Sequence, residues 1–208
     1  MPTTPPPSHG RPPTSGDRPV LLVISASTRP VRKSTALASW LRGLAEEQGA
    51  FAIDVVELAE LNLPLLDEPH HPRLQRYEHE HTKAWSRRVG DASAVVFVTP
   101  EYNHSYPAGL KNAIDYLNVE WRDKPLGYLT YGGVSAGTRA MVALQPVTAA
   151  LGMRVLQQAV NVPFVANVVN EAGSVDANET MTKSAQAMLA ALAKAVEDQR
   201  LLRAQPTA

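Results

Sequence analysis

Two five-residue stretches of this chain, Val20-Leu21-Leu22-Val23-Ile24 and Ala94-Val95-Val96-Phe97-Val98, carry no polar residue at all. A strand with one wet face alternates apolar and polar side chains, so a strand that is apolar at every position must be covered on both faces. That environment occurs inside a parallel sheet sandwiched between helices. The intervening sequence supplies such helices. Leu37, Trp40, Leu41 and Leu44 recur at i, i+3, i+4 and i+7, and Gly49 follows as a stop signal. Leu110, Ala113, Ile114 and Leu117 repeat that spacing after the second run.

The remaining elements fit the same alternation. Phe51, Ile53 and Val55 form one apolar face of a strand whose other face carries Asp54, which places it near a sheet edge. Asn62 to Pro72 holds Pro64, Pro69 and Pro72 and reads as a loop. Leu74, Tyr77, His81, Trp85 and Val89 then keep an approximate helical spacing. Leu126 to Tyr131 reads as a fourth strand, residues 138 to 151 as a helix interrupted by Pro146, and Val155 to Val160 as a fifth strand. Asp176 and Glu179 have capping-box spacing ahead of Met181, Ala185, Met188, Leu189, Leu192 and Val196. Parallel strands need crossover helices, so this order predicts a parallel sheet covered on both faces. Residues 1–17, with six prolines, read as a disordered tail ahead of one domain over residues 18–203.

Charge and composition narrow the function. Lys and Arg number 20, as do Asp and Glu, so no net field draws the chain to nucleic acid or to an anionic membrane. With no cysteine, a disulfide scaffold, a cysteine zinc site and a thiol nucleophile are excluded, and a reducing cytoplasm is the expected setting. The longest apolar run, Ala187 to Ala193, is seven residues, against roughly 20 for a membrane-spanning helix. No metal site is expected at His70-His71 or at His79 and His81, because positions i and i+2 do not share a helix face. Trp40, Trp85 and Trp121 read as packing residues.

In parallel sheets ligands bind beyond the carboxyl ends of the strands, which directs attention to three loops. After Ile24 comes Ser25-Ala26-Ser27-Thr28-Arg29-Pro30-Val31-Arg32-Lys33-Ser34-Thr35. Hydroxyls and cations leading into a helix N-terminus suit a phosphate, although the same residues also make a plain capped turn. The loop matches neither GxxxxGK[ST] nor GxGxxG. After Val98 comes Thr99-Pro100-Glu101-Tyr102-Asn103-His104-Ser105-Tyr106-Pro107, whose aromatic and amide groups suit a flat ring with polar edges. After Tyr131, Gly132, Gly133 and Gly137 allow backbone to approach a ligand closely.

Pro100-Glu101-Tyr102-Asn103 followed by Leu110-Lys111-Asn112-Ala113-Ile114-Asp115 resembles the signature of the NADPH-dependent FMN reductase family. Lys124-Pro125, the stretch Tyr131 to Gly137 and Ser27-Thr28-Arg29 resemble it too, in family order. The resemblance implies an α/β, flavodoxin-like three-layer sandwich with strand order 2-1-3-4-5. It implies that Ser27 and Arg29 hold the FMN phosphate, with Arg32, Ser34 and Thr35 as the alternatives for a further contact. It further implies that Pro100, Glu101, Tyr102 and Asn103 line the isoalloxazine while Gly132 and Gly133 approach its pyrimidine side. Ala26 stands where the family usually has glycine, and Arg32 where a hydroxyl is often found. The implied activity is hydride transfer from NADPH to FMN N5, then reduction of a quinone, azo compound, metal oxyanion or free flavin, in a homodimer or dimer of dimers. No catalytic acid or base is expected, since the flavin carries the chemistry. Supply of reduced flavin to a monooxygenase and one-electron carriage in the manner of flavodoxin are the alternatives. The even charge balance argues against the carrier, a class that is usually strongly acidic.

Overall fold

The computed structural model describes residues 18–204. The expected proline-rich tail, residues 1–17, lies outside them. Five strands, β1 (Val20–Ser25), β2 (Ala52–Glu57), β3 (Ala94–Pro100), β4 (Pro125–Tyr131) and β5 (Arg154–Val162), form one sheet in the order β2-β1-β3-β4-β5. Every neighbouring pair is parallel. The helices are α1 (Ser34–Gln48), a four-residue α2 (Leu58–Leu61), α3 (Glu80–Asp91), α4 (Ala108–Asp115), α5 (Thr138–Ala150) and α6 (Glu179–Ala204). This is the flavodoxin-like sandwich.

Strand order dictates which face each helix covers. From β1 to β2 the chain moves one way along the sheet, and from β2 to β3, β4 and β5 it moves the other way. Right-handed crossovers therefore place α1 on one face and α3, α4 and α5 on the opposite face. The two cores record this. Leu21, Val23, Val96 and Val98 pack with Leu37 and Leu41 of α1 and with Met188 and Leu192 of α6. Leu22, Ile24, Val95 and Phe97 pack with Trp85, Leu110, Ile114 and Leu144. Alternate residues of β1 and β3 feed opposite cores, which is why neither strand tolerates a polar position. Trp85 and Trp121 are buried there and donate their indole N–H groups to Ala113 O and Ile114 O at 2.8 and 3.0 Å.

Two local expectations are corrected. The helix expected to run from Leu74 starts at Glu80, because Gln75 adopts φ 50° and His79 is extended. Glu68 holds this extended segment by accepting the backbone N–H groups of Glu78 and His79 at 2.8 and 3.1 Å. The cap of α6 is Asn178 rather than Asp176: Asn178 Oδ1 accepts the Met181 N–H at 2.8 Å. Among the described residues no helix is long and apolar enough to cross a membrane.

The direction of winding reverses between β1 and β3, leaving a crevice above their carboxyl ends. All three unusual loops open onto it.

Candidate active site

At the end of β1, the Ala26 N–H donates to Val98 O at 2.9 Å, so the strand pairing continues into the loop. Ala26 is not among the residues with positive φ, and a Cβ is accommodated where the family usually has glycine. Ser27 is buried, and its Oγ lies 2.6 Å from the Tyr102 hydroxyl, which ties the first loop to the second. The Arg29 N–H points to the same Ser27 Oγ at 3.4 Å, while the Arg29 residue itself is exposed. Among the described residues no carboxylate pairs with it. Arg32 turns away, its Nε donating to Glu57 Oε2 at 2.8 Å and its Nη2 reaching Glu60 Oε1 at 3.5 Å. Ser34 is buried beside Ser25, with 2.8 Å between the hydroxyl oxygens. The residue before α1, Lys33, is itself helical and provides no side-chain cap. The first-turn amides of α1 thus have no side-chain acceptor from that position.

The second loop is a tight two-residue turn. Tyr102 and Ser105 exchange backbone hydrogen bonds of 2.8 and 2.9 Å, and Asn103 and His104 between them adopt φ 47° and 67°. Two consecutive left-handed residues without glycine cost of order 1 kcal/mol each. The turn raises exposed Asn103 and His104 above the crevice. Pro100 closes β3, paired with Tyr131 of β4. Glu101 points inward with its side chain only 8% exposed. Its carboxylate accepts the Ser135 hydroxyl at 2.8 Å and the Arg139 N–H at 3.2 Å, and pairs with Arg139 Nε at 3.0 Å. It therefore fastens the second loop to the third and to the start of α5.

In the third loop, Gly132 donates to Val162 O at 3.2 Å and accepts the Val165 N–H at 3.1 Å. Gly133 is different: a Cβ there would meet no heavy atom within 4 Å. The Cα side of Gly133 is therefore open, while its carbonyl accepts the Ala136 and Phe164 N–H groups at 3.1 and 3.0 Å. Tyr131, at the base of this loop, is buried with the Ser34 and Ser27 side chains near its hydroxyl, and burial pushes that hydroxyl up to about 12.

Ser27, Tyr102, Glu101, Gly132 and Gly133 are thus joined in one assembly, with Arg29 free at its rim. Arg32 and Ser34 belong to its floor. Sequence reasoning missed Glu57, Ser135 and Arg139. The signal for Glu57 was its place at the carboxyl end of a strand pairing with β1, opposite Ser25. Nothing local singled out Ser135 or Arg139.

Residues 19–167 match the family model described as NADPH-dependent FMN reductase. The chain belongs to that family. It is 41% identical over 139 residues to an NAD(P)H-dependent FMN reductase of Schizosaccharomyces pombe, covering 66% of this chain and 69% of that one. It is 32% identical over 113 residues to a 2-hydroxy-1,4-benzoquinone reductase of a Burkholderia species, covering 54% of this chain and 55% of that one. In fold, this family member resembles the flavoenzyme NAD(P)H:(acceptor) oxidoreductase FerB of Paracoccus denitrificans. The TM-score is 0.65 at 23% identity, over 87% of this chain and 98% of the other.

Proposed function

We propose that this chain is an FMN-dependent NAD(P)H oxidoreductase that passes electrons to a small acceptor: a quinone, an azo compound, a metal oxyanion or free flavin. One observation carries the reading. Three loops at the switch point of the sheet are cross-linked by Ser27–Tyr102 and by Glu101 with Ser135 and Arg139, with Arg29, unpaired among the described residues, on one side and the open Cα side of Gly133 on the other.

The donor set fits FMN. A phosphate needs N–H donors and a cation, and the unhindered first-turn amides of α1 with Arg29 and the Ser27 hydroxyl provide them. Gly133, with no side chain on its open side, suits close approach to a flat ring, which Pro100 at the end of β3 and Tyr102 and Asn103 in the loop after it would flank. Glu101 serves as a positioning residue, since its carboxylate is spent on Ser135 and Arg139. FMN supplies the hydride chemistry when bound. The protein's part is to bind and orient it: Tyr102 fixes Ser27 in place, and the strained Asn103-His104 turn holds backbone groups at the crevice. No side chain is assigned a proton to move.

The same reading includes NADPH as the preferred donor and a homodimer or dimer of dimers, both supported by the family resemblance, and a cytoplasmic location, supported by the absence of cysteine. Steady-state assays of the FMN-loaded protein test it, with NADPH or NADH as donor and a benzoquinone, an azo dye or free FMN as acceptor. Turnover of at least one acceptor with parallel double-reciprocal lines is expected, because donor and acceptor use one site in turn. Inertness toward every acceptor with both donors would overturn it.

A further inference from the structure

The family resemblance offers Arg32 as one candidate for the FMN phosphate, yet the structure pairs it with Glu57. Glu57 closes β2 and sits opposite Ser25 in the β1–β2 register. Its side chain is 11% exposed, and that of Arg32 is 19% exposed. Glu57 Oε2 collects three donors: Arg32 Nε at 2.8 Å, Ser25 Oγ at 2.9 Å and Thr35 Oγ1 at 3.0 Å. These come from the end of β1, the loop and the first turn of α1. One carboxylate oxygen therefore gathers the whole cradle. The guanidinium is planar and its donors are fixed in direction, so an Arg32 whose Nε edge serves Glu57 and whose Nη2 faces Glu60 has its charge answered within the protein.

This arrangement places a carboxylate under the helix end that is to receive a phosphate. Two anions in a partly dry cradle repel, and each must be neutralised for both to be held. On the FMN reading above, we propose that Arg32 is the counter-ion of Glu57 and not a phosphate ligand. Arg29 is then the cation that meets the phosphate. Arg32 acts on flavin affinity only by cancelling the charge of Glu57 and holding the loop closed over it.

A double-mutant cycle read by quenching of flavin fluorescence tests this, with riboflavin as the control that lacks the phosphate. Arg32→Met leaves Glu57 unanswered and should weaken FMN about tenfold or more. Riboflavin affinity should not move. Glu57→Gln keeps an acceptor oxygen for Ser25 and Thr35 and removes the negative charge, so FMN should bind at least as tightly as to the wild type. Arg32→Met combined with Glu57→Gln should return FMN affinity to within about threefold of wild type. A double variant as weak as Arg32→Met would overturn the proposal, because it would show that Arg32 touches the phosphate directly. So would a tenfold loss in Glu57→Gln alone. Thermal melts accompany each variant. If Arg32→Met fails to fold, the double variant, which has no unpaired carboxylate, decides by itself. A wild-type chain that binds neither FMN nor riboflavin would instead overturn the flavin reading on which the proposal rests.

Discussion

Gly137 joins the third loop to α5, and replacing it with alanine should be unusually costly. It has φ +80°, a conformation in which a Cβ is strained by about 1 kcal/mol. That Cβ would also fall 2.6 Å from Tyr131 N, 2.8 Å from Thr130 Cβ and 2.8 Å from Tyr131 O. Two of these atoms are backbone of β4, which cannot swing aside, so an overpacking cost of about 1–3 kcal/mol adds to the strain. Gly49, which ends α1 at φ +75° with nothing within 4 Å of its Cβ position, isolates the strain alone. In a domain of this size 1 kcal/mol moves the melting midpoint by about 2–4 °C. Gly49→Ala should therefore lower Tm by about 3 °C and Gly137→Ala by about 8 °C, as read by calorimetry with urea unfolding in parallel. Gly133→Ala, with open space at its Cβ position, should leave stability within about 0.5 kcal/mol of wild type while weakening FMN. If Gly137→Ala costs no more than Gly49→Ala, the loop does not press on β4 as described and the shape of the crevice is wrong.

Glu101→Gln should lower unfolding free energy by about 1.5–3 kcal/mol in urea titrations, since a charged acceptor buried between Ser135 and Arg139 is lost. FMN affinity should fall with it, and a variant as stable as wild type would show that the two loops are not fastened there. Tyr102→Phe keeps the ring and removes the hydroxyl 2.6 Å from Ser27 Oγ; FMN should dissociate about fivefold more readily in fluorescence titrations. Lys124 gives a pH signature. Burial, with Arg203 adding to it, pulls its ammonium from 10.5 down to about 8. Between those values the unfolded chain holds a proton that the folded chain has released. Its contribution is therefore fully present above 10.5 and is lost as pH falls through about 8. Tyr131 acts oppositely: its hydroxyl is raised from 10.0 to about 12, so its contribution is present below 10.0 and lost as pH rises through about 12. Urea midpoints should climb from pH 8 toward 10 in the wild type, and Lys124→Met should flatten that climb. An equal climb in the variant would refute the assignment.

The central strands were legible because burial on both faces leaves a local mark: no polar residue is tolerated anywhere in Val20–Ile24 or Ala94–Val98. The edge strands β2 and β5 were legible through alternation and through the order of elements. Residues 74–79 were misread because Leu74 and Tyr77 keep helical spacing while Gln75 is left-handed, and the contacts that hold the segment extended come from Glu68. The approximate places of the three site loops followed from strand order and motif. What no local pattern carried was the pairing of side chains across loops. Arg32 reads as a candidate phosphate-binding cation in the sequence, and its commitment to Glu57 arises only when β2 pairs with β1. Glu101 reads only as one of four residues lining the ring, and the burial of its carboxylate against Ser135 and Arg139 depends on the packing of α5 beside β4. Ala26 stands where the family usually has glycine, yet its backbone lies outside the left-handed region and its amide extends the β1–β3 pairing.

The proposed function requires that the crevice bind FMN and that a reduced nicotinamide nucleotide reduce it there. The most direct test is a visible spectrum of the purified protein with FMN, followed under anaerobic conditions by NADPH and then by NADH in a separate sample. The account predicts a perturbed flavin spectrum on binding and rapid bleaching on addition of NADPH. Bound flavin that stays oxidised with both nucleotides, or no spectral change on adding FMN, would contradict it.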